Sequence, residues 1–244
     1  MRILVTNDDG IESEGLRILA ETLAKKHEVT VVAPNGNRSA SSHSLTIHSE
    51  LVFERRKISD NFESFTLSGT PADCVKFAVH FFNEERFDLV CSGINWGDNL
   101  GSNTSYSGTV SAALEGNYFH IPSISFSNIS HTDCKFQDDA DIIEQMLPKL
   151  LKIVSGEYTL NVNFPNIPKE EIKGVKLTPL GFLGYDDFYR QNENGSFSLM
   201  GDPIFGDNGG ENDIILCNRG YVTVTPILFN RTAYSVIEKF SELF

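Results

Sequence analysis

The opening strand–helix–strand run settles what kind of sheet this chain builds. Residues 2–6, Arg-Ile-Leu-Val-Thr, form a short apolar run that stops at Asn7-Asp8-Asp9-Gly10. Residues 14–26 then place Leu16, Leu19, Ala20 and Leu23 at helical spacing. Glu28-Val-Thr-Val-Val-Ala33 is β-branched and ends at Pro34-Asn35-Gly36. Two strands joined through a helix form a βαβ unit, so the sheet begins parallel.

The alternation continues. Residues 65–68 lead through Gly69-Thr70-Pro71 into a helical stretch over 72–82. Phe87-Asp-Leu-Val-Cys91 reads as a buried strand that breaks at Ser92-Gly93. A helix follows over 109–117, then a strand over 121–126, then an amphipathic helix over 138–154 that Pro148 should break or kink. Repeated β–α alternation predicts a three-layer α/β fold with a largely parallel sheet.

After residue 160 the texture changes. Residues 185–213 carry seven acidic side chains against a single Arg190, with five glycines, and read as a polar loop or irregular hairpin. Residues 220–226 alternate as a strand, and residues 233–244 close the chain as a short helix. The expected organisation is one domain over 1–244, with an α/β core to about residue 160 and a C-terminal extension over about 161–244.

Composition narrows the function. A net charge of −13 leaves no basic footprint for duplex nucleic acid. No run of about 18 apolar residues occurs, so no membrane-spanning helix is expected. The four cysteines, Cys74, Cys91, Cys134 and Cys217, are too scattered for a disulfide scaffold or a zinc knuckle. With an N-terminus too soon interrupted by carboxylates for a secretory leader, the reading is a cytoplasmic protein. An acidic surface repels phosphate at long range, so a phosphate site here needs a cation, a helix N-terminus or oriented N–H groups.

Ligands of parallel sheets sit beyond the carboxyl ends of the strands. The residues delivered there are Asn7-Asp8-Asp9-Gly10, the stretch 35–44 (NGNRSASSHS), Ser68-Gly69-Thr70, and the stretch from Ser92 to Asn99. Adjacent Asp8 and Asp9 repel each other unless a cation sits beside them. An arbitrary Asp-Asp pair is a solvated turn, but the end of the first buried strand favours a metal. Ser39 and Asn95 are the candidate co-ligands, and an all-oxygen shell suits Mg²⁺ or Mn²⁺, with Ca²⁺ as the alternative, far better than a structural zinc site. Ser107, Gly108 and Thr109 precede a helical stretch. Read alone they are an N-cap; beside a metal they hold phosphate on N–H groups and the helix dipole. His43 and His48 are candidate acids or bases, although loop histidines are more often simply exposed. Trp96, the only tryptophan, stacks on a base or packs at a pocket rim.

Taken together, these motifs resemble the stationary-phase survival protein E (SurE) family of acid phosphatases and 5′-nucleotidases. The matching stretches are ILVTNDDGI (3–11), VVAPNGNRSASSHSLT (31–46), GTPADCVK (69–76), SGINWGDNLG (92–101), SGTVSAALEG (107–116) and GYVTVTPI (220–227). The resemblance implies a Rossmann-like core and one divalent cation per subunit on Asp8, Asp9, Ser39 and Asn95. It further implies phosphate held near Ser107, Gly108 and Thr109. The expected activity is hydrolysis of nucleoside 5′-monophosphates, with the 3′-esters also admitted, by metal-activated water. Asp8, Asp9 and Asn95 are then the catalytic residues. The resemblance also implies a homodimer or homotetramer built through the C-terminal extension. One stretch departs from the family pattern: LGFLGYDDFYRQNENGSFSLM (180–200) has Arg190 as its only basic residue, which leaves base preference open.

Two rival readings share an Asp after the first strand. A covalent aspartyl-phosphate phosphatase uses an Asp-x-Asp pattern, which Asp8-Asp9-Gly10 does not supply. A receiver-type Mg²⁺-binding switch needs a phosphoacceptor Asp ending its third strand, and SELVFERR (49–56) offers none.

Overall fold

Alternation along the first strand separates two cores. In β1 (Arg2–Thr6), Ile3 and Val5 join one buried cluster and Leu4 the other, as the period-2 geometry of a strand requires. The computed structural model describes residues 1–84, 86–205 and 210–243. The chain continues with α1 (Glu14–Ala24), β2 (Glu28–Pro34), β3 (Phe53–Arg55), β4 (Glu63–Leu67), α2 (Pro71–Phe81) and β5 (Leu89–Trp96). Then come α3 (Gly108–Tyr118), β6 (Ser123–Asn128), α4 (Phe136–Leu150) and β7 (Thr159–Phe164). The remainder holds β8 (Val175–Leu177), β9 (Leu183–Tyr185), β10 (Phe188–Gln191), β11 (Phe197–Met200) and β12 (Pro203–Phe205). It ends with α5 (Asp213–Asn218), β13 (Val222–Ile227) and α6 (Tyr234–Phe240).

The main sheet runs β3-β4-β2-β1-β5-β6-β7-β13-β8. From β4 to β7 every neighbouring pair is parallel. Helices α1 and α4 cover the Ile3/Val5 face, and α2 and α3 cover the Leu4 face, which gives the expected three layers. The chain leaves β1 for β2 on one side and returns through β5 on the other. The carboxyl ends of β1 and β5 therefore flank the crevice where such sheets take ligands.

Several boundaries differ from the sequence reading. Ser92 and Gly93 do not end β5; the strand runs on to Trp96 with a register shift against β6 between Ser92 and Asn95. Glycine is needed there, because φ is +131° at Gly93 and a Cβ would lie 2.3 Å from the Phe126 carbonyl oxygen. Pro148 does not break α4 early. It falls in the last turn of a helix that ends at Leu150. The polar stretch after residue 182 forms two short antiparallel ribbons, β9 with β12 and β10 with β11. Of its seven acidic residues, Asp207 lies outside the described residues, and Asp213 is fully buried at the start of α5. Its two oxygens accept the Gly101 (2.8 Å), Gly181 (2.6 Å) and Ile214 (2.9 Å) amides, joining the extension to the loop after β5.

Strand β7 straddles residue 160 and is buried throughout, and β13 pairs antiparallel with it while running parallel to β8. The extension thus completes the core sheet. Buried amides lock this region to the site. Asn161 and Asn163 Nδ2 donate to the Asn99 carbonyl (2.7 and 3.2 Å), Asn163 Oδ1 accepts the Asn99 amide (2.9 Å), and Asn99 Nδ2 donates to Ser127 Oγ (2.8 Å). Unpaired polar groups at that depth would be costly, so the closed network holds the 97–100 loop in one position.

Candidate active site

The turn after β1 is built by Asn7. This fully buried side chain accepts the Gly10 amide at 3.2 Å and donates to the Gly10 carbonyl (3.1 Å) and Ser13 Oγ (2.6 Å). The turn closes on Gly10, where φ is +101° and a Cβ would meet Gly36 at 2.9 Å. Asp8 and Asp9 are thereby fixed between β1 and α1, and the Asp8 carbonyl accepts the Arg38 amide at 2.7 Å.

Asp8 is 4% exposed. Its Oδ1 accepts Thr109 Oγ1 at 2.5 Å, and the same hydroxyl lies 3.3 Å from Asn95 Oδ1. Asn95 Nδ2 is held by the Gly97 carbonyl at 2.8 Å, which orients its amide oxygen toward Thr109. Asp9 Oδ2 accepts the Trp96 amide at 3.1 Å. Burial pushes the Asp8 carboxyl above the usual carboxylate range, against the Thr109 hydroxyl and backbone N–H groups that favour its charge. Burial, reinforced by the charge of Asp8, pushes Asp9 up to about 6. The carboxylates resist joint ionisation, a conflict that a cation held by them would relieve.

The 107–109 turn meets Asp8 directly. Ser107 Oγ caps α3 by accepting the Val110 amide at 3.0 Å. A Cβ at Gly108 would lie 2.8 Å from Asp8 Cβ, 2.8 Å from Ser41 Oγ and 2.9 Å from Asp8 Oδ2. Ser41 Oγ is buried without a hydrogen-bond partner. An orphaned hydroxyl and a carboxylate oxygen converging on one glycine form a cradle of oxygen donors. Among the described residues no group of three His, Cys, Asp or Glu side chains gathers as a metal site. The donor set is two carboxylates completed by amide and hydroxyl oxygens, which fits a hard divalent cation.

Asp8, Asp9, Asn95, Ser107, Gly108 and Thr109 are thus brought together. Ser39 is exposed on the neighbouring loop, its amide bonded to Asn37 Oδ1 at 2.8 Å, and no hydrogen bond ties its hydroxyl to the carboxylates. His43 turns away to Glu115, with Nε2 2.8 Å from Oε2, and Lys76 Nζ lies 2.7 Å from the other carboxylate oxygen. Burial would raise the Glu115 carboxyl, but His43 and Lys76 hold it below the usual range. His48 is exposed. Two residues escaped the sequence reading. Ser41 is one of several serines in its loop, with nothing to single it out. Arg38 was legible as the lone cation of the 35–44 stretch; it donates to the Ser68 carbonyl at 3.0 Å, and its Nε is buried without a partner.

An α/β protein with a carboxylate pair in the turn after its first central strand, packed against a glycine turn at a helix N-terminus, carries the elements that a cation-assisted phosphate site needs. The family model described as "Survival protein SurE" matches residues 3–187. The chain belongs to the SurE family. It is 41% identical to the 5'-nucleotidase SurE of Petrotoga mobilis, covering 98% of this chain and 97% of that protein. It is 40% identical to the 5'-nucleotidase SurE of Clostridium botulinum, covering 100% and 99%. The crystal structure of SurE protein from Aquifex aeolicus superposes with a TM-score of 0.85 at 38% identity, covering 100% of this chain and 99% of that one.

Proposed function

We propose that this chain is a metal-dependent phosphomonoesterase that hydrolyses nucleoside 5′-monophosphates to nucleoside and phosphate. The observation that carries the reading is Thr109 Oγ1, 2.5 Å from Asp8 Oδ1 and 3.3 Å from Asn95 Oδ1, which supports reading the 107–109 turn, Asp8 and Asn95 as one site. The names of the relatives, 5'-nucleotidase SurE, support the substrate class.

Asp8, Asp9, Ser39 and Asn95 would hold one Mg²⁺ or Mn²⁺ per subunit. When bound, such a cation supplies an activated water and neutralises charge on the phosphoryl oxygens. The chain itself does the positioning. Gly108, lacking a side chain, lets the turn pack against Asp8 and Ser41. With the Gly108 and Thr109 N–H groups turned to Asp8 and the Val110 N–H capped by Ser107, the α3 N-terminus would favour a phosphate anion through its dipole. The Asn95 side chain, fixed by Gly97, and the backbone of 107–109 would be the groups nearest the phosphoryl oxygens as charge develops there.

Assembly through the extension belongs to the same proposal. None of α6 is buried, although Tyr234, Val236, Ile237 and Phe240 are apolar, and Leu228 and Phe229 beside it are exposed. Such a surface supports a homodimer or homotetramer closed through this segment. Four unpaired cysteines support a reducing, cytoplasmic setting. No helix among the described residues is long and apolar enough to cross a membrane.

The test is hydrolysis of all ribo- and deoxyribonucleoside monophosphates with EDTA or added Mg²⁺, Mn²⁺, Co²⁺ or Zn²⁺. Asp8→Asn and Asp9→Asn should each abolish turnover without unfolding the protein. Most of the activity surviving in both variants at saturating Mn²⁺ would overturn the reading.

A further inference from the structure

Beside Asp9 opens a cavity of about 510 Å³ that the chemistry above does not use. Trp96 forms one wall, while Gly15, Cys134 and Phe136 contribute apolar surface. Its carboxylates are Asp9, Glu12, Glu14 and Asp133, and no Lys or Arg lines it. Trp96 is 55% exposed, yet its own amide is fixed on Asp9 Oδ2 at 3.1 Å. Among the described residues its ring makes no aromatic or cation–π contact. A large indole held open to solvent one residue from a site side chain is a stacking surface without its partner.

We propose that this cavity takes the nucleobase of the substrate, stacked on Trp96. The inference rests on the nucleotide reading above and adds where the base goes and which bases are favoured. The phosphate cannot lie here, because every charged group of the lining is a carboxylate, whereas the turn at Gly108 packs against Asp8, which does not line the cavity. Ionised carboxylates only accept hydrogen bonds. Glu12 is already engaged by Arg56 Nε at 2.7 Å, which leaves Glu14 and Asp133 as acceptors at the rim. They favour a base that presents N–H donors along one edge. Guanine matches best, since its N1–H and exocyclic amino group lie side by side and meet both oxygens of one carboxylate.

The chain reports on this site directly, because Trp96 is its only tryptophan. GMP should quench the intrinsic tryptophan emission in a saturable titration with Mg²⁺ absent or present, and ribose 5-phosphate at equal concentrations should not. In turnover, Trp96→Ala should lower the ratio of kcat/KM for GMP to that for ribose 5-phosphate about tenfold, mainly through KM, and Trp96→Phe should restore most of it. GMP should exceed UMP in both measurements. Equal effects of GMP and ribose 5-phosphate on emission, or an unchanged kcat/KM ratio in Trp96→Ala, would overturn the base site and leave the phosphatase reading standing. Hydrolysis of neither ester with any divalent cation would remove the nucleotide reading and this inference with it.

Discussion

Replacing Gly108 by alanine is a local test of the cradle between Asp8 and the phosphate turn. The added methyl would sit 2.8 Å from Asp8 Cβ, 2.8 Å from Ser41 Oγ and 2.9 Å from Asp8 Oδ2, where ordinary contacts begin at 3.4 Å. Opening the closest of these requires a displacement of about 0.6 Å, and Asp8 Cβ cannot yield by a mere rotamer change. Two effects oppose each other in the fold. Overpacking costs about 1–3 kcal/mol, while alanine in place of glycine in a helix returns up to about 1 kcal/mol. Net destabilisation should therefore be no more than about 3 kcal/mol, and the protein should stay folded. Activity should fall much further, because displacing a catalytic group by a fraction of an ångström to 1 Å lowers rates by up to about 10²-fold. The assay is kcat/KM for a nucleoside monophosphate at saturating Mn²⁺, with Tm measured alongside. Gly36→Ala is the control, since a Cβ there meets nothing within 4 Å. If Gly108→Ala keeps kcat/KM within threefold of wild type, the turn does not face the reacting phosphate as argued.

Further outcomes follow from the buried polar groups. Burial pushes the Asp139 carboxyl up to about 7, although Asn128 Nδ2 donates to it at 2.7 Å. Because the folded value exceeds the unfolded one, its stabilising contribution is complete below about pH 4 and is lost as pH rises through about 7. Asp139→Asn should gain stability relative to wild type by about 2–4 kcal/mol between pH 5 and pH 8.5; urea titrations showing a pH-independent difference would refute this. Thr109→Val removes a donor from a buried carboxylate and should lower metal-free stability by about 1.5–3 kcal/mol, with Thr109→Ser restoring most of it by calorimetry. Asp213→Asn places N–H donors against backbone amides that it formerly accepted. It should destabilise the extension by about 2 kcal/mol and hasten proteolysis between residues 181 and 213, and unchanged cleavage would count against the pin.

The legible parts of this protein were those written locally. The apolar run of β1, its stop at Asp8 and Asp9, and the helical spacing of α1 are short-range signals, and they placed the carboxylates. Asn95 was found as a strand-end amide even though β5 runs past the expected break at Gly93. Strand β7 escaped notice because Asn161 and Asn163 spoil its apolar pattern. They are buried only because Asn99, more than sixty residues earlier, completes their hydrogen bonds. Thr109 shows the same limit. Its sequence context is a helix start and suggested a phosphate contact, but its hydroxyl donates to Asp8 across 101 residues. No window on the chain reveals such a pairing.

The position of β13 also governs how this protein is made. A chain emerging from the ribosome delivers β7 at residues 159–164 and β8 at 175–177, but the strand that lies between them arrives only at 222–227. Until then β7 presents a raw edge made of fully buried residues, the kind of edge that recruits another nascent chain. Synthesis stalled, or a message truncated, before residue 222 would therefore yield an aggregation-prone product rather than a smaller enzyme, although Asp8, Asp9, Asn95 and Thr109 would all have been translated. Removing the last strand should leave β7 unpaired and expose the chain to chaperones and proteases.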